Sequence, residues 1–121
     1  MNLPLSEALS RAESHLRAGR HREAEAICRA VIEAAPDQAT AYLLLAAALR
    51  AQGQTAVAQE VCRRAVELCP TSVEAWNNMS AILAAEGRLA DAERAAQQAV
   101  TLGTQEPVAW YNLGHALHLQ D

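Results

Sequence analysis

Asn78 and Asn112 lie 34 residues apart, each two positions after a tryptophan (Trp76 and Trp110). A carboxamide offers both a donor and an acceptor, so it can pair with peptide backbone, bridge two helices or hold water. The other side chains with chemical potential are few. His115 and His118 stand at i, i+3 spacing and would share one face of a helix. Two imidazoles fall short of the roughly four ligands that zinc normally takes, and no cysteine or carboxylate nearby completes a set. His15 and His21 are isolated. No Gly-rich phosphate loop, zinc-type His/Glu helix or nucleophile elbow is present. These residues are suited to binding, and no catalytic residue, metal or cofactor is implied.

The three cysteines fit that reading. Cys28 and Cys62 are again 34 residues apart, which predicts equivalent, buried, small apolar positions. Cys62 and Cys69 are seven apart along one helix, too far to be bridged. Cys69 precedes Pro70 and is expected to be partly exposed. An odd count without paired spacing points to a reducing, cytoplasmic compartment.

The same interval governs the elements that must position these residues. Gly19, Gly53 and Gly87 are spaced by 34, and so are Pro36 and Pro70. Glycine takes the left-handed cap that ends a helix, and proline ends the next helix and opens the turn beyond it. The unit is a helical hairpin, repeated. Helices are expected at Leu5–Ala18, His21–Ala34, Gln38–Gln52, Thr55–Leu68, Ser72–Glu86, Leu89–Leu102 and from Pro107 to about Leu119. Thr71 and Glu74 have the spacing of a capping box. Residues 5–38 form repeat 1, 39–72 repeat 2, 73–106 repeat 3 and 107–121 the first helix of a partial repeat 4, all within one domain over 1–121.

Within each repeat a small residue follows an apolar one: Leu45-Ala46, Met79-Ser80, Leu113-Gly114. The facing helices supply Ala24, Ala58 and Ala92 in register. Small residues on both sides let helices approach closely, and a single hairpin cannot bury such faces alone, so neighbours must stack. Repeat 1 carries Ala8 where later copies have an aromatic, Arg11 where they have Leu or Met and His15 where they have Leu, as an N-terminal cap should.

Composition excludes several classes. Half the chain is apolar, yet aromatics make up only 3% and Phe is absent, so the core is built from small aliphatic residues. Net charge is −4, the ten basic residues are all Arg, and charges alternate in sign. No basic run points to nucleic acid or a membrane surface, and no apolar run approaches the ~18 residues of a membrane span. Met1-Asn2-Leu3-Pro4 does not open a secretory signal.

The pattern Trp76, Met79-Ser80, Leu83, Gly87, Ala92, Ala96, Ala99 resembles the tetratricopeptide repeat, as does Tyr42, Leu45-Ala46, Leu49, Gly53, Ala58, Cys62, Ala65, Pro70. The resemblance implies an all-α fold, an α-α superhelix of about seven helices whose concave groove is lined by the first helix of each pair. It implies a scaffold that binds a protein or peptide and carries no chemistry of its own. On that pattern Asn77, Asn78, Tyr111, Asn112 and His115 are the expected contacts, with Arg50 and Leu43 secondary. The chaperone-type clamp on a terminal carboxylate is disfavoured by the absence of Lys. The asparagine ladder of glycosyltransferase arms fits Asn78 and Asn112 but is interrupted by Leu44.

The fourth repeat lacks a second helix, and Asp121 falls where its glycine would be. Leu113, Ala116 and Leu117 are therefore expected to present an uncovered apolar stripe. Two explanations stay open. The chain is the N-terminal, substrate-recruiting arm of a larger, bacterial-type enzyme such as a glycosyltransferase, or it is a scaffold that forms a homodimer through the last helix.

Overall fold

The computed structural model describes residues 4–120, which form seven α-helices and no strand. They are α1 (Leu5–Arg17), α2 (His21–Ala34), α3 (Ala39–Ala51), α4 (Thr55–Leu68), α5 (Val73–Ala85), α6 (Leu89–Leu102) and α7 (Pro107–Gln120). Asp121, expected at the place of a fourth glycine, lies outside the described residues, as do Met1 to Leu3.

The glycine rule has a concrete geometry. Gly19, Gly53 and Gly87 have φ of +81°, +80° and +79°. After α3 the Gly53 amide donates to the Arg50 carbonyl at 3.0 Å and the Gln54 amide to the Leu49 carbonyl at 2.9 Å. The ends of α1 and α5 repeat both bonds. This paired closure satisfies the last helical carbonyls and turns the chain into the second helix. Capping at the start of α5 differs from expectation. Ser72, not Thr71, is the cap, and its hydroxyl accepts from the Ala75 amide at 3.1 Å. With Ser72 as the cap, Glu74 falls one position short of the place from which its carboxylate could close a box.

Helices pack along the chain as α1·α2, α2·α3, α3·α4 and so on. The odd-numbered helices also touch one another, α1 with α3, α3 with α5 and α5 with α7, whereas α2, α4 and α6 do not approach each other. The odd helices thus form the tighter inner layer, and their outward surface is the concave face. The core between the layers is made of small side chains. Ala12, Ala24, Ala46, Ala58, Ala92 and Ala96 are fully buried beside Leu49 and Ile82. Where the sequence departs from alanine, a polar atom is matched: the Ser80 hydroxyl donates to the Ala92 carbonyl at 2.9 Å.

The aromatic residue of each repeat binds the preceding turn. Tyr42 Oη donates to the Pro36 carbonyl at 2.8 Å, Trp76 Nε1 to the Pro70 carbonyl at 2.8 Å and Trp110 Nε1 to the Thr104 carbonyl at 2.7 Å. Trp76 is half-buried, but Trp110 is 51% exposed, because no helix among the described residues covers it as α6 covers Trp76.

Candidate functional site

On α5, residues 74, 77, 78, 81, 84 and 85 follow helical spacing along one face, and 108, 111, 112 and 115 do so on α7. The seam between these faces holds two hollows. The first, about 340 Å³, is lined by Arg50 from α3, by Ser80, Ala81, Ala84 and Ala85 from α5, and by Tyr111, Asn112 and His115 from α7. Its floor is small and apolar because α5 presents alanines there. Its wall is polar and aromatic: the Tyr111 and His115 rings stack with centroids 5.8 Å apart and 6° between planes. No carboxylate among the described residues lines it, so Arg50 favours an acidic or acceptor group in a ligand.

The second hollow, about 480 Å³, is lined by Val73, Glu74, Asn77, Asn78, Glu106 and Val108. Its charge is opposite, with two carboxylates and no cation among the described residues. The Asn77 side-chain oxygen is buried and has no hydrogen-bond partner among the described residues. A buried acceptor left unpaired costs about 1–3 kcal/mol.

The expected residues therefore separate into groups. Arg50, Tyr111, Asn112 and His115 converge on one hollow, and Asn77 and Asn78 on the other. Leu43 does not reach the face: it is 6% exposed and packs with Ala65 and Ala75. Its turn of α3 faces neighbouring helices. Asn112 acts partly as an internal bridge, its Nδ2 donating to the Asn77 carbonyl at 3.3 Å across the seam. Glu106, in the turn before α7, escaped sequence reasoning because its role depends on a turn folding back over α5. His118 is exposed, and among the described residues no three His, Cys, Asp or Glu side chains are grouped to hold a metal.

The stripe expected on α7 is also composed differently. Leu113 is packed among Ala96, Ala99, Val100 and Ala109, and Ala116 is fully buried in the main core. Both lie under α5 and α6, so only Leu117, 45% exposed, remains of the three. The uncovered face is formed by Trp110, Gly114 and Leu117.

A second polar system links successive repeats at an unbroken interval of 34. Gln52 Nε2 donates to Glu25 Oε1 at 2.9 Å, and Gln120 Nε2 donates to Glu93 Oε1 at 2.8 Å. Between them the residue types are exchanged: in the amide orientation that satisfies both groups, Gln59 donates to Glu86 at 2.7 Å and accepts from Arg88 at 2.6 Å. The Gln52 contact, followed by that of Arg29, holds the Glu25 carboxyl below its ordinary range. Arg88 does the same for Asp91, with Arg94 contributing.

Stacked helical hairpins with a continuous inner layer of odd-numbered helices define a helical repeat array. The chain belongs to the tetratricopeptide repeat family: one family model of that description matches residues 9–73, more than half the chain, and a second matches 61–94. No curated protein is significantly similar in sequence. Among solved structures, the first such domain of human RPAP3 superposes with a TM-score of 0.92 at 19% identity, covering 96% of this chain and 91% of that one. The Yersinia enterocolitica type III secretion chaperone SycD, in complex with a peptide of the translocator YopD, gives 0.85 at 18% identity over 97% and 95%. A Thermobaculum terrenum O-GlcNAc transferase mutant gives 0.91 at 28% identity, and the match spans 98% of this chain but only 24% of the transferase.

Proposed function

We propose that the chain is a protein-interaction scaffold whose concave α5–α7 seam, with Arg50 of α3, binds an extended segment of another protein. The observation that carries this reading is the pair of oppositely charged hollows on one seam. A ligand would place an acidic or acceptor group against Arg50, Tyr111 and His115, and a basic or donor group against Glu74 and Glu106. The solved complexes of similar fold support it, since their names record an HSP90 peptide on Spaghetti (RPAP3) and a YopD peptide on SycD. Binding energy in such faces is concentrated in aromatic and Arg anchors. Peptides selected from a random library should therefore lose at least about tenfold in affinity on Tyr111→Ala and on Arg50→Ala, measured by fluorescence anisotropy. Undiminished binding by both variants would sink the reading. The free thiols of Cys28, Cys62 and Cys69 support a reducing, cytoplasmic setting.

The similarity to the transferase favours a second reading, in which the chain is a substrate-recruiting arm. Asn78 and Asn112 keep the register of a ladder, although Asn112 already spends a donor on the Asn77 carbonyl. Sequencing the gene past the Asp121 codon decides it: a frame running into a catalytic domain carries the reading, and a stop codon ends it.

A further inference from the structure

The two hollows of the seam are offset along the helices by the same amount on both sides. On α5, Asn77 and Asn78 line one hollow and Ala84 and Ala85 the other. On α7 the corresponding residues are Val108 and His115. Each step is seven residues, or two helical turns, which at about 1.5 Å per residue is about 10 Å. The bond from Asn112 Nδ2 to the Asn77 carbonyl joins a residue of one hollow to a residue of the other. Charge on the seam is also left unspent. Seven arginines elsewhere in the chain form ion pairs with carboxylates three or four positions away. Among the described residues, Arg50, Glu74 and Glu106 belong to none of these pairs.

A ligand that answers both hollows must carry opposite charges about 10 Å apart on one side. A helix covers that distance in about seven residues, but it docks through an apolar stripe. Here the polar Asn112–Asn77 bridge stands between the hollows. A β-strand puts every second side chain on one face, about 7 or 13 Å apart, so no same-face pair falls at the required distance. The described residues also include no strand, hence no sheet edge for such a ligand to join. A polyproline II segment has three residues per turn and rises about 3.1 Å per residue. Its side chains i and i+3 point the same way about 9 Å apart, and its solvated backbone needs no partner. Tyr111, 69% exposed in the Arg50 hollow, supplies an aromatic face of the kind on which such segments dock. We propose, on the reading that this seam is the binding face, that its ligand is a polyproline II segment lying along α5 and α7. An acidic residue sits at Arg50 and His115, and a basic residue three positions away sits at Glu74 and Glu106.

Peptides selected from a random library on the full chain should carry an acidic and a basic residue three positions apart, in either order, more often than at any other spacing. In the tightest of them, adding or removing one residue between the two charges should weaken binding at least about tenfold by fluorescence anisotropy. These changes leave the protein untouched, so folding does not enter. Replacing the peptide's acidic residue with Lys should weaken binding similarly, and Arg50→Glu should restore it for that peptide. A preferred spacing of seven would mean a helical ligand, and one of two or four a strand. Either would overturn the proposal while leaving the seam as the binding face. So would the lack of any charge-pair spacing in peptides that still lose affinity on Arg50→Ala and Tyr111→Ala. Binding that neither substitution weakens would remove the seam itself, and the polyproline II ligand with it.

Discussion

Cys28 and Cys62 occupy equivalent places on α2 and α4, both fully buried, and burial raises their thiols to about 11 and about 12. Cys69, at the end of α4, is partly exposed. Only the thiolate reacts, so Cys69 should label with a disulfide reagent at least about 100-fold faster than the other two in the native protein. Mass mapping of the labelled peptides checks this. Both folded values exceed the ordinary 9.0, so the buried thiols' contribution to stability is intact below pH 9 and is lost as pH rises toward 11. Glu25 runs the other way. Its carboxyl is lowered by Gln52 and then Arg29, so its contribution is present above the ordinary value of 4.5 and is lost as pH falls through the depressed value. The difference in melting temperature between wild type and Glu25→Gln should shrink on moving from pH 7 to pH 3, and a constant difference would show that the Gln52 bond does not matter. The cysteine burial was legible because a 34-residue interval equates positions. The Glu25–Gln52 link was not, since its acid and amide exchange places in the next repeat and leave no fixed residue type to follow.

Between elements, the turn after α6 shows how one substitution is accommodated by another. Pro36 and Pro70 mark the first two turns, but the third has Gly103-Thr104. A Cβ on Gly103 would stand 2.9 Å from Val73 Cγ2, at the start of α5. One repeat earlier, the residues equivalent to Val73 and Gly103 are Ala39 and Cys69, where the smaller partner leaves room for a side chain. Gly103→Ala should therefore destabilise by about 1–3 kcal/mol through overpacking. Gly103→Ala combined with Val73→Ala should recover part of that loss in a double-mutant cycle read by urea unfolding. Additive losses would refute the pairing. Helix existence and order were legible because glycine, proline and the 3.6-residue apolar period all agree. The errors arose where the outcome depends on a neighbour. Leu43, Leu113 and Ala116 are buried by helices that repeat register alone does not orient, and Ser72 displaced Thr71 as the cap.

At the scale of the molecule, the array is a line of neighbours, and its stability should be graded along that line rather than uniform. Helix α1 buries a single residue, Ala12, and has one flanking partner in α2 and a lesser one in α3. Helix α3 buries seven residues, including Leu43, Leu44, Leu45 and Leu49, and is held from both sides by α2 and α4 and along the inner layer by α1 and α5. Helix α5 buries five, Ile82 and Leu83 among them. Amide hydrogen exchange of the dilute protein should therefore rank α3 and α5 as most protected and α1 as least. Helix α7, with Ala109, Leu113 and Ala116 buried and its outer face open, should fall between them. Leu49→Ala, at a fully buried position, should cost about 2–5 kcal/mol and lower protection most in α3 and the helices it touches. One common opening free energy for all seven helices would mean that the chain unfolds as a single cooperative block. The same measurement bears on the inner face. The seam that carries Arg50, Tyr111 and Asn77 runs between the best-held layer and the less protected α7, so a ligand bridging α5 and α7 should slow exchange chiefly in α7.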